Sequence, residues 1–502
     1  MSMTPPSTVL NPEMLRSLAE LAAFVEAAAQ AGSPCHEVER AIWRRILGIG
    51  RQALAQFLAR QGSGDLGETL TLPDGQVCRR LPALHPRRYV SLFGAFQWQR
   101  TVYGSREGQA HEFVPLDNRL QLPASAFSYV LQDWDQALAT EQAFGQVNQT
   151  IARILELRQS VDSLEQMNAS LAEHVGTFRD NQTTPPPEEE GELLVVSADG
   201  KGIVLRRDPA APAPPAHRSK GEKASLKRMA TVGAVYTVDR YVRTPADVVA
   251  ARFRDPRDEP PPARPQPQHK HVWASLAQDT ATGLVAGVDL VYPWLLNEVV
   301  ERNRHLAKEM VYLHDGQESL WDARRRHLPA RNGTDILDLL HVTPRLWQAA
   351  HVFHGEGSDA AEQFVRDRLL RVLRGEAAWV VRGLRQMGTK HGVTGAKKKT
   401  LATVCRYLAQ NLERMRYGEY LAKGYPIASG VIEGACRHLV KDRMELAGMH
   451  WTAAGAQAML DVRSVFVNGD WDKYHAYRIH RENQRLYPHR ELLQSLEYPL
   501  PV

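Results

Sequence analysis

Three acidic residues occupy positions from which carboxylates can act together on one substrate. Asp199 lies in LLVVSADGKG, Asp315 in MVYLHDGQ and Glu433 in SGVIEGACRH. In the first two motifs an apolar run rich in β-branched residues ends in Asp followed by Gly, a pattern typical of a buried strand that ends at an exposed sheet edge. Glu433 instead falls early in a helical pattern. Because carboxylate oxygens suit Mg²⁺, the three residues predict a divided site for two divalent ions that act on nucleic acid.

Each acid also has a simpler interpretation. Asp-Gly at residues 199–200 and 315–316 is a common turn dipeptide. Glu433 precedes Arg437 by four residues, so the two could form an ordinary ion pair on a helix surface. The three acids are far apart in the sequence, and only a chain that folds back on itself would unite them. Spacing alone leaves these alternatives open.

A fourth acid lies in LDLLHV, where His341 follows Asp338 by three residues. The pair could contribute to the same site. The alternative is a capping aspartate beside a histidine satisfied within the core.

The elements that must position these residues are those of an α/β unit. Apolar runs predict strands at residues 193–198, 230–238, 272–276 and 310–313, and a helix at 294–306. Two Pro-rich segments, RRDPAAPAPPAHRSKGEK and RDPRDEPPPARPQPQHKH, flank the second strand and are expected to be extended and mobile loops. Helical patterns then fill most of the chain from PRLWQAAHVF to LATVCRYLAQNLERM, which predicts a helical insertion before the block that contains Glu433.

The N-terminal third predicts helices, a β ribbon and more helices. RYVSLFGAFQWQRTVYG alternates apolar and polar residues on both sides of Gly94, as a half-buried ribbon does. IARILELRQSVDSLEQMNASLAEHV resembles the turn and second helix of a helix-turn-helix, with Ser160 or Asp162 as the cap. Gln166 and Asn168 would then face base edges. A plain helical hairpin is the favoured alternative.

Composition excludes some classes of protein and permits others. The chain has 62 Lys and Arg against 57 Asp and Glu, a net charge of +5, so nucleic acid is a permitted partner but not a required one. Basic residues are concentrated in the segment 201–228 and in the run 397–399, where phosphates or solvent are the alternative contacts. No apolar run approaches a membrane span, and no secretory signal is recognisable, so we expect a cytoplasmic protein without a membrane partner. The four cysteines are scattered and expected to be reduced.

At this point the motifs resemble a known family. SADGKG, YLHDG, LDLLHV and above all YPIASGVIEGACRHLVKDRMELAGMHW are similar to the DDE transposases of bacterial insertion sequences, specifically the ISKra type. The resemblance covers about residues 89–470 and is most specific at 424–451. It implies an α/β RNase H-like catalytic domain with a mixed sheet and flanking helices, interrupted by an all-α insertion. An α-rich N-terminal DNA-binding region with a small β ribbon would precede it.

The resemblance also implies roles for residues. Asp199, Asp315 and Glu433 would be the catalytic triad that binds two Mg²⁺ ions, for which Mn²⁺ can substitute. Asp338 and His341 match the family's Asp-x-x-His signature, which helps to handle the DNA end, and Asp338 is the reserve candidate for the second metal ligand. The charged residues that flank the acids are expected to contact DNA phosphates, with solvated helix charges as the alternative. They are Lys201, Arg437, His438, Lys441 and Arg443.

One departure from the family concerns zinc. The family carries cysteine pairs of a zinc ribbon after its β ribbon, whereas the equivalent stretch here, YGSREGQAHEF, has no cysteine. A structural zinc site in this stretch is therefore in doubt.

The sequence thus predicts a DNA transposase that cleaves the ends of an insertion sequence and joins them to target DNA, as a homo-oligomer on the DNA of the bacterial nucleoid. Its double-stranded DNA partners would be the terminal inverted repeats and the target. The rivals are a domesticated DNA-binding protein and a nuclease that cleaves without joining, both on the same scaffold. The predicted segments are N-terminal helices 1–66, a β ribbon module 67–120, a helix-turn-helix-like region 121–180, a linker 181–192, the first part of the catalytic domain 193–345, the helical insertion 346–420, and its last part with C-terminal helices 421–502.

Overall fold

The structure is a computed structural model. It describes residues 12–104, 113–206, 226–256, 262–281, 283–446, 448–495 and 498. The chain forms two compact units, the first made of residues 1–170 and 472–502 and the second of residues 171–471. Most of the first Pro-rich segment, at 207–225, and residues 257–261 of the second lie outside the described residues, as does the cysteine-free stretch at 105–112. The end of the second segment, predicted as a loop, instead begins a strand at Gln268.

The first unit combines helices with two small antiparallel sheets. The helices of its N-terminal part are α1 Pro12–Gln30, α2 Cys35–Ala59, α3 Pro115–Leu120, α4 Tyr129–Glu141, α5 Phe144–Leu155 and α6 Val161–Ala172, the last of which ends two residues beyond the unit. Its strands are β1 Thr69–Thr71, β2 Val77–Arg80, β3 His85–Ser91, β4 Gly94–Arg100 and β5 Tyr103–Gly104.

The predicted β ribbon is confirmed. β3 and β4 pair antiparallel from His85 opposite Arg100 to Ser91 opposite Gly94. Gly94 has φ +115°, a backbone conformation that favours glycine, and an added Cβ would meet the guanidinium of Arg51. The strands therefore turn where the sequence places glycine.

The helices α5 and α6 agree with the sequence prediction at the cap of α6 and at Gln166, but not at Asn168. Ser160 caps α6, because its Oγ accepts a hydrogen bond from the Ser163 amide at 3.1 Å. Gln166 is exposed as expected. Asn168 is only 3% exposed and donates through Nδ2 to Gln136 Oε1 at 3.1 Å, so its prediction as a base-reading residue is wrong in this structure. Asn168 holds α6 against α4 instead.

The second unit is built on a mixed sheet. Its strands are β6 Leu193–Leu205, β7 Leu226–Val238, β8 Gln268–Ser275, β9 Gln278–Thr280, β10 Gly283–Val285, β11 Glu309–His314 and β12 Gly333–Leu337. Five of these form one sheet in the order β12-β11-β6-β7-β8, while β9 and β10 form a separate hairpin. β6, β7 and β8 are an antiparallel meander, and β11 lies parallel to both β6 and β12.

Helices cover both faces of this sheet. They are α7 Val175–Asp180, α8 Pro245–Phe253, α9 Gly287–Arg302, α10 Glu318–His327, α11 Leu339–Phe353, α12 Asp359–Leu373, α13 Ala377–Lys390, α14 Gly395–Gln410, α15 Tyr417–Ala422, α16 Gly430–Ala435, α17 Asp442–Met444 and α18 Ala453–Val467. Leu193 and Val195 of β6 belong to the apolar core shared with α11 to α15, and Leu194 and Val196 to the core shared with α9 and α10. This alternation follows from the two-residue repeat of a strand buried on both faces.

The long strand β6 corrects one expectation. Asp199 does not end the strand: it pairs with Val232 of β7, and Gly200 pairs with Thr231. The turn interpretation of Asp199-Gly200 is therefore wrong. β7 supplies hydrogen bonds to β6 as far as Leu205, which is why the strand continues beyond its apolar run.

The predicted linker at 181–192 is anchored within the second unit. Glu190 is 2% exposed, with its Oε1 2.5 Å from Arg302 Nε and its Oε2 2.9 Å from Lys308 Nζ. Such a buried ion pair is costly to break, because removal of one partner leaves an uncompensated charge. Glu190 thus fixes the end of the predicted linker beside the sheet.

The chain ends with α19 Trp471–Leu486 and α20 Leu492–Ser495. Residues from 472 onward belong to the first unit, whereas sequence analysis grouped 421–502 together. Arg478 of α19 is 1% exposed and donates through Nη2 to Gln132 Oε1 of α4 at 2.7 Å. Within the described residues, no helix combines the length and apolar character that crossing a membrane requires.

Candidate functional site

Two parallel strands bring Asp199 and Asp315 next to each other. The register of β6 and β11 ends with Ala198 opposite His314. Asp199 and Asp315 come one residue further along each chain, and partners in register share a face of the sheet. Burial and then the nearby charge of Asp199 raise the pKa of Asp315. The two carboxylates therefore form one electrostatic pair.

His314 ties the two acid-bearing strands together. It is 1% exposed, and its Nδ1 accepts a hydrogen bond from the Ala198 amide at 3.1 Å. Its Nε2 lies 3.1 Å from the Tyr292 hydroxyl. Burial lowers the pKa of His314 to about 3, so the ring is neutral. It acts as an acceptor that holds Ala198 one residue before Asp199.

This buried histidine predicts a loss of stability in acid. In the unfolded chain a histidine gains a proton near pH 6.5, whereas folded His314 resists protonation down to about pH 3. The stabilisation is therefore complete above pH 6.5 and is lost as pH falls from 6.5 towards 3, and at pH 5 it is lower by about 2 kcal/mol. His314→Asn keeps an acceptor but does not titrate. Urea unfolding should show that the free energy of unfolding falls by about 2 kcal/mol less between pH 7 and pH 5 in the variant than in the wild type. Equal decreases in the two proteins would contradict this role of His314.

Asp315 sits in a tight turn directly after β11. Its Oδ1 accepts a hydrogen bond from the Gln317 amide at 2.7 Å, so the turn interpretation of Asp315-Gly316 is correct as local geometry. His341 and Arg345 on α11 oppose the rise in the pKa of Asp315. His341 is half-buried, and its effect on the pKa of Asp315 shows that it lies near that carboxylate.

Glu433 approaches the pair through its helix. Ser429 caps α16, because its Oγ accepts from the Ile432 amide at 3.2 Å. The helix continues as a π-helical turn at Cys436–Lys441, a local widening that is frequent at functional sites. The Sγ of Cys436 donates to Asp199 Oδ2 at 3.6 Å. The helix that carries Glu433 therefore lies against the strand that carries Asp199.

Glu433 does not form the predicted ion pair with Arg437, but its charge acts on Asp338. Arg437 Nε lies 3.7 Å from Asp442 Oδ1 instead, and His438 Nδ1 lies 3.0 Å from Asp442 Oδ2. Glu433 is exposed and contributes to the raised pKa of Asp338. The surface-pair interpretation of Glu433 is thus not what the structure contains.

The predicted phosphate contacts differ in exposure. Arg437, His438 and Lys441 are exposed, and Lys201 is half-buried two residues after Asp199 on the same strand. Arg443 is fully buried, with its guanidinium 4.9 Å from the centre of the Trp451 ring. Because Arg443 is buried, it cannot contact a DNA phosphate in this structure, and its prediction as a phosphate contact is wrong.

Asp338 is occupied by the backbone. Its Oδ1 accepts from the Leu340 amide at 2.8 Å, which caps α11, and its Oδ2 accepts from the Ser429 amide at 3.3 Å. Asp338 is 1% exposed, and its pKa is raised to about 6, chiefly by burial. These contacts explain Asp338 as a structural residue that joins α11 to the start of α16.

For the DNA cleavage that the sequence analysis predicts, Asp338→Asn is accordingly expected to keep the rate within about tenfold of the wild type, since the asparagine Oδ1 still accepts a hydrogen bond from the Leu340 amide. Single-turnover cleavage assays in Mg²⁺ check this expectation. A loss as large as that of Asp315→Asn would instead make Asp338 the second metal ligand.

Sequence reasoning missed one wall of the site. An added Cβ on Gly316 would lie 2.2 Å from the ring of Tyr407, which comes from α14 of the helical insertion. Arg345 lies with its guanidinium carbon 4.9 Å from the centre of the same ring. Burial and the charge of Asp315 raise the pKa of Tyr407 to about 12. The only sequence signal was the glycine after Asp315, which permits this close approach.

The donors at the site are suited to hard divalent cations. Asp199 and Asp315 place two anionic groups together, an arrangement that a cation stabilises. Within the described part of the chain, no group of three or more His, Cys, Asp or Glu side chains is arranged to hold a metal ion. The oxygen donors of Asp199 and Asp315 suit Mg²⁺ or Mn²⁺. Because these two carboxylates alone are an incomplete ligand set, a third carboxylate would have to approach the pair.

Comparison of the sequence with protein-family models and with curated proteins finds no match to either.

Proposed function

We propose that the chain is a DDE-type DNA transposase that cleaves the ends of an insertion sequence and joins them to target DNA. The observation that carries the proposal is that Asp199 and Asp315 directly follow Ala198 and His314, the last paired residues of two parallel strands, while the helix of Glu433 lies against Asp199 through Cys436. Two acids from distant parts of the sequence thus lie side by side, and the helix that carries the third lies against the strand of the first. Neither an Asp-Gly turn nor a surface ion pair of Glu433 with Arg437 would require this arrangement of the acids.

The architecture of the second unit supports the proposal. The five-stranded sheet β12-β11-β6-β7-β8 is mixed and has helices on both faces, as the RNase H-like domain implied by the resemblance would have. The helices α12 to α15 lie in sequence between Asp315 and Glu433, where the family has its helical insertion.

Asp199, Asp315 and Glu433 would hold two Mg²⁺ ions, for which Mn²⁺ can substitute. Bound there, the metals would supply activation of a water or a 3′-hydroxyl and stabilisation of the leaving oxygen. His314 would keep the two strands in register, and Tyr407 would close one side of the site. The chain's own contribution is therefore positioning and charge stabilisation.

The cations around the acids would position the DNA backbone. Lys201, His341 and Arg437 lie on elements that carry or flank the acids, and His438 and Lys441 are exposed on the π-helical turn. Phosphate contacts of this kind set the register of a protein on DNA without reading its sequence. The partner would be double-stranded DNA, both the element's terminal inverted repeats and the target, bound by a homo-oligomer in the bacterial cytoplasm.

The test is a strand-cleavage and joining assay. The purified full-length chain is incubated with Mg²⁺ or Mn²⁺ and with DNA that carries the sequences flanking its reading frame in the genome. Cleaved ends joined to target DNA are the expected result. Nicks without joined products would favour a nuclease, and binding without cleavage would favour a domesticated DNA-binding protein.

A further inference from the structure

A second concave site lies within the second unit, on the same face of the sheet as the acids. It is a pocket of about 510 Å³, within the roughly 300–1,000 Å³ typical of small-ligand sites. Tyr236 and Val238 of β7 and Lys270 of β8 form part of its lining, and Gly430 and Gly434 of α16 form another side.

The pocket carries an excess of positive charge. Arg243, Arg264 and Lys270 line it, and Asp239 is the acid among the lining residues. Burial and then the charge of Arg264 lower the pKa of Arg243, so the two guanidiniums lie close enough to repel each other. Among the described residues, the Nε of Arg243 is buried without a hydrogen-bond partner. Asp239 accepts a hydrogen bond from the Glu192 amide at 3.3 Å. Arg243 Nη2 donates to the Tyr425 carbonyl at 3.2 Å, so an anion in the pocket would chiefly neutralise the charge of these cations.

Aromatic and proline rings accompany the cations. Tyr241 lines the pocket, and the guanidinium carbon of Arg243 lies 5.1 Å from the centre of its ring. Pro265, Pro267 and Pro426 add flat apolar surface. Cations beside aromatic rings are the combination that single-stranded nucleic acid uses, with the phosphate on the cation and the base on the ring. A double helix is too wide to enter a pocket of this volume.

α16 separates this pocket from the acids. Gly430 and Gly434, four residues apart, line the pocket, whereas Cys436 contacts Asp199 on the other side. Tyr236, at the base of the pocket, hydrogen-bonds the side chain of Ser429, which caps α16. A ligand in the pocket would therefore press on the helix that carries Glu433.

We propose that this pocket binds one unpaired nucleotide of a DNA strand, with its phosphate on Arg243 and Arg264 and its base against Tyr241. The inference rests on the proposed function, because the strand would be one that lies beside the cleavage site. A nucleotide bound in the pocket would contact the side of α16 opposite Asp199 and so restrict the movement of the helix that carries Glu433.

The test measures binding without chemistry. The full chain carrying Asp199→Asn is titrated, in EDTA, against a fluorescent oligothymidylate, and fluorescence anisotropy gives Kd. Gly430→Leu adds a bulky apolar side chain to the pocket lining, and an added Cβ there has no atom within 4 Å, so the fold tolerates it. Arg264→Ala removes an exposed cation. Each change is expected to raise Kd about tenfold. Arg252→Ala, an exposed cation of α8 outside the pocket, is the matched control and should stay within about twofold.

Further arms separate the possible ligands. An abasic strand of equal length should bind more weakly and lose its sensitivity to Gly430→Leu, and equal binding of it would reduce the pocket to a phosphate site and overturn the proposal. Displacement of the strand by dTMP at lower concentration than by unlabelled strand would make a free nucleotide the ligand and also overturn it. Unchanged Kd in Gly430→Leu and Arg264→Ala would overturn it outright. Since no metal is present, these outcomes are independent of whether the chain cleaves DNA.

Discussion

Asp199→Asn, Asp315→Asn and Glu433→Gln should each lower the rate of DNA strand cleavage in Mg²⁺ by about a thousandfold. In the proposed function each of these acids is a metal ligand, and loss of one carboxylate ligand would remove roughly 4 kcal/mol of transition-state stabilisation, which corresponds to that factor. Single-turnover cleavage of end DNA by the purified variants measures the effect. Glu301→Gln, which removes only a surface pair with Arg304, is the matched control and should cleave at the wild-type rate.

Folding should survive these three changes. Burial and the charge of Asp199 raise the pKa of Asp315, so the ionised Asp315 carboxylate is less stable in the folded chain than in the unfolded one. This cost appears as pH rises above the unfolded pKa of the carboxyl group, and Asp315→Asn removes it. The free energy of unfolding of Asp315→Asn at pH 7 should therefore equal or exceed that of the wild type. Full cleavage activity in any of the three variants would remove that residue from the triad.

Trp321→Ala should lower the free energy of unfolding by about 4 kcal/mol. Trp321 lies on α10, is fully buried, and donates through Nε1 to the carbonyl of Asp315 at 2.7 Å. Its ring centre lies 4.9 Å from that of His314. Truncation leaves a large cavity beneath the turn that carries Asp315, and surrounding side chains fill such cavities only in part. Urea unfolding at pH 7 measures the loss.

Two further variants make this prediction specific. Trp379 of α13 is 59% exposed, and Trp379→Ala should change stability by less than about 1 kcal/mol. Trp321→Phe keeps most of the buried volume but removes the hydrogen bond to the Asp315 carbonyl. It should fold and yet cleave DNA about tenfold more slowly, since the Asp315 turn is held less firmly. Wild-type stability in Trp321→Ala would contradict the packing described here.

Much of the architecture was predictable from local patterns. The apolar runs at 193–198 and 310–313 are strands, because a strand buried on both faces needs continuous apolar residues. The ribbon at Gly94 formed where a positive φ requires glycine. The segment before α16 is helical, as its 3.6-residue periodicity predicts. Asp315 lies directly after its strand, as the Asp-Gly signal indicated.

Long-range contacts decided the parts that the sequence analysis placed wrongly. Asn168 and Arg443 are polar residues in helices, and only the packing of neighbouring elements buries them. Asp199 lies within a strand and not at its end, because the partner β7 supplies hydrogen bonds that β6 alone cannot show. The ends of a strand thus depend on its neighbours.

For the candidate site, the sequence by itself determined which side chains have oxygen donors and which elements carry them. Only the tertiary structure decided which donors meet. The parallel register put Asp199 beside Asp315, backbone amides occupied Asp338, and Cys436 and Tyr407 came close from distant helices. The physical reason is that propensity and periodicity act over a few residues, whereas the spacing of carboxylates depends on sheet register and helix packing between segments that lie far apart in the chain.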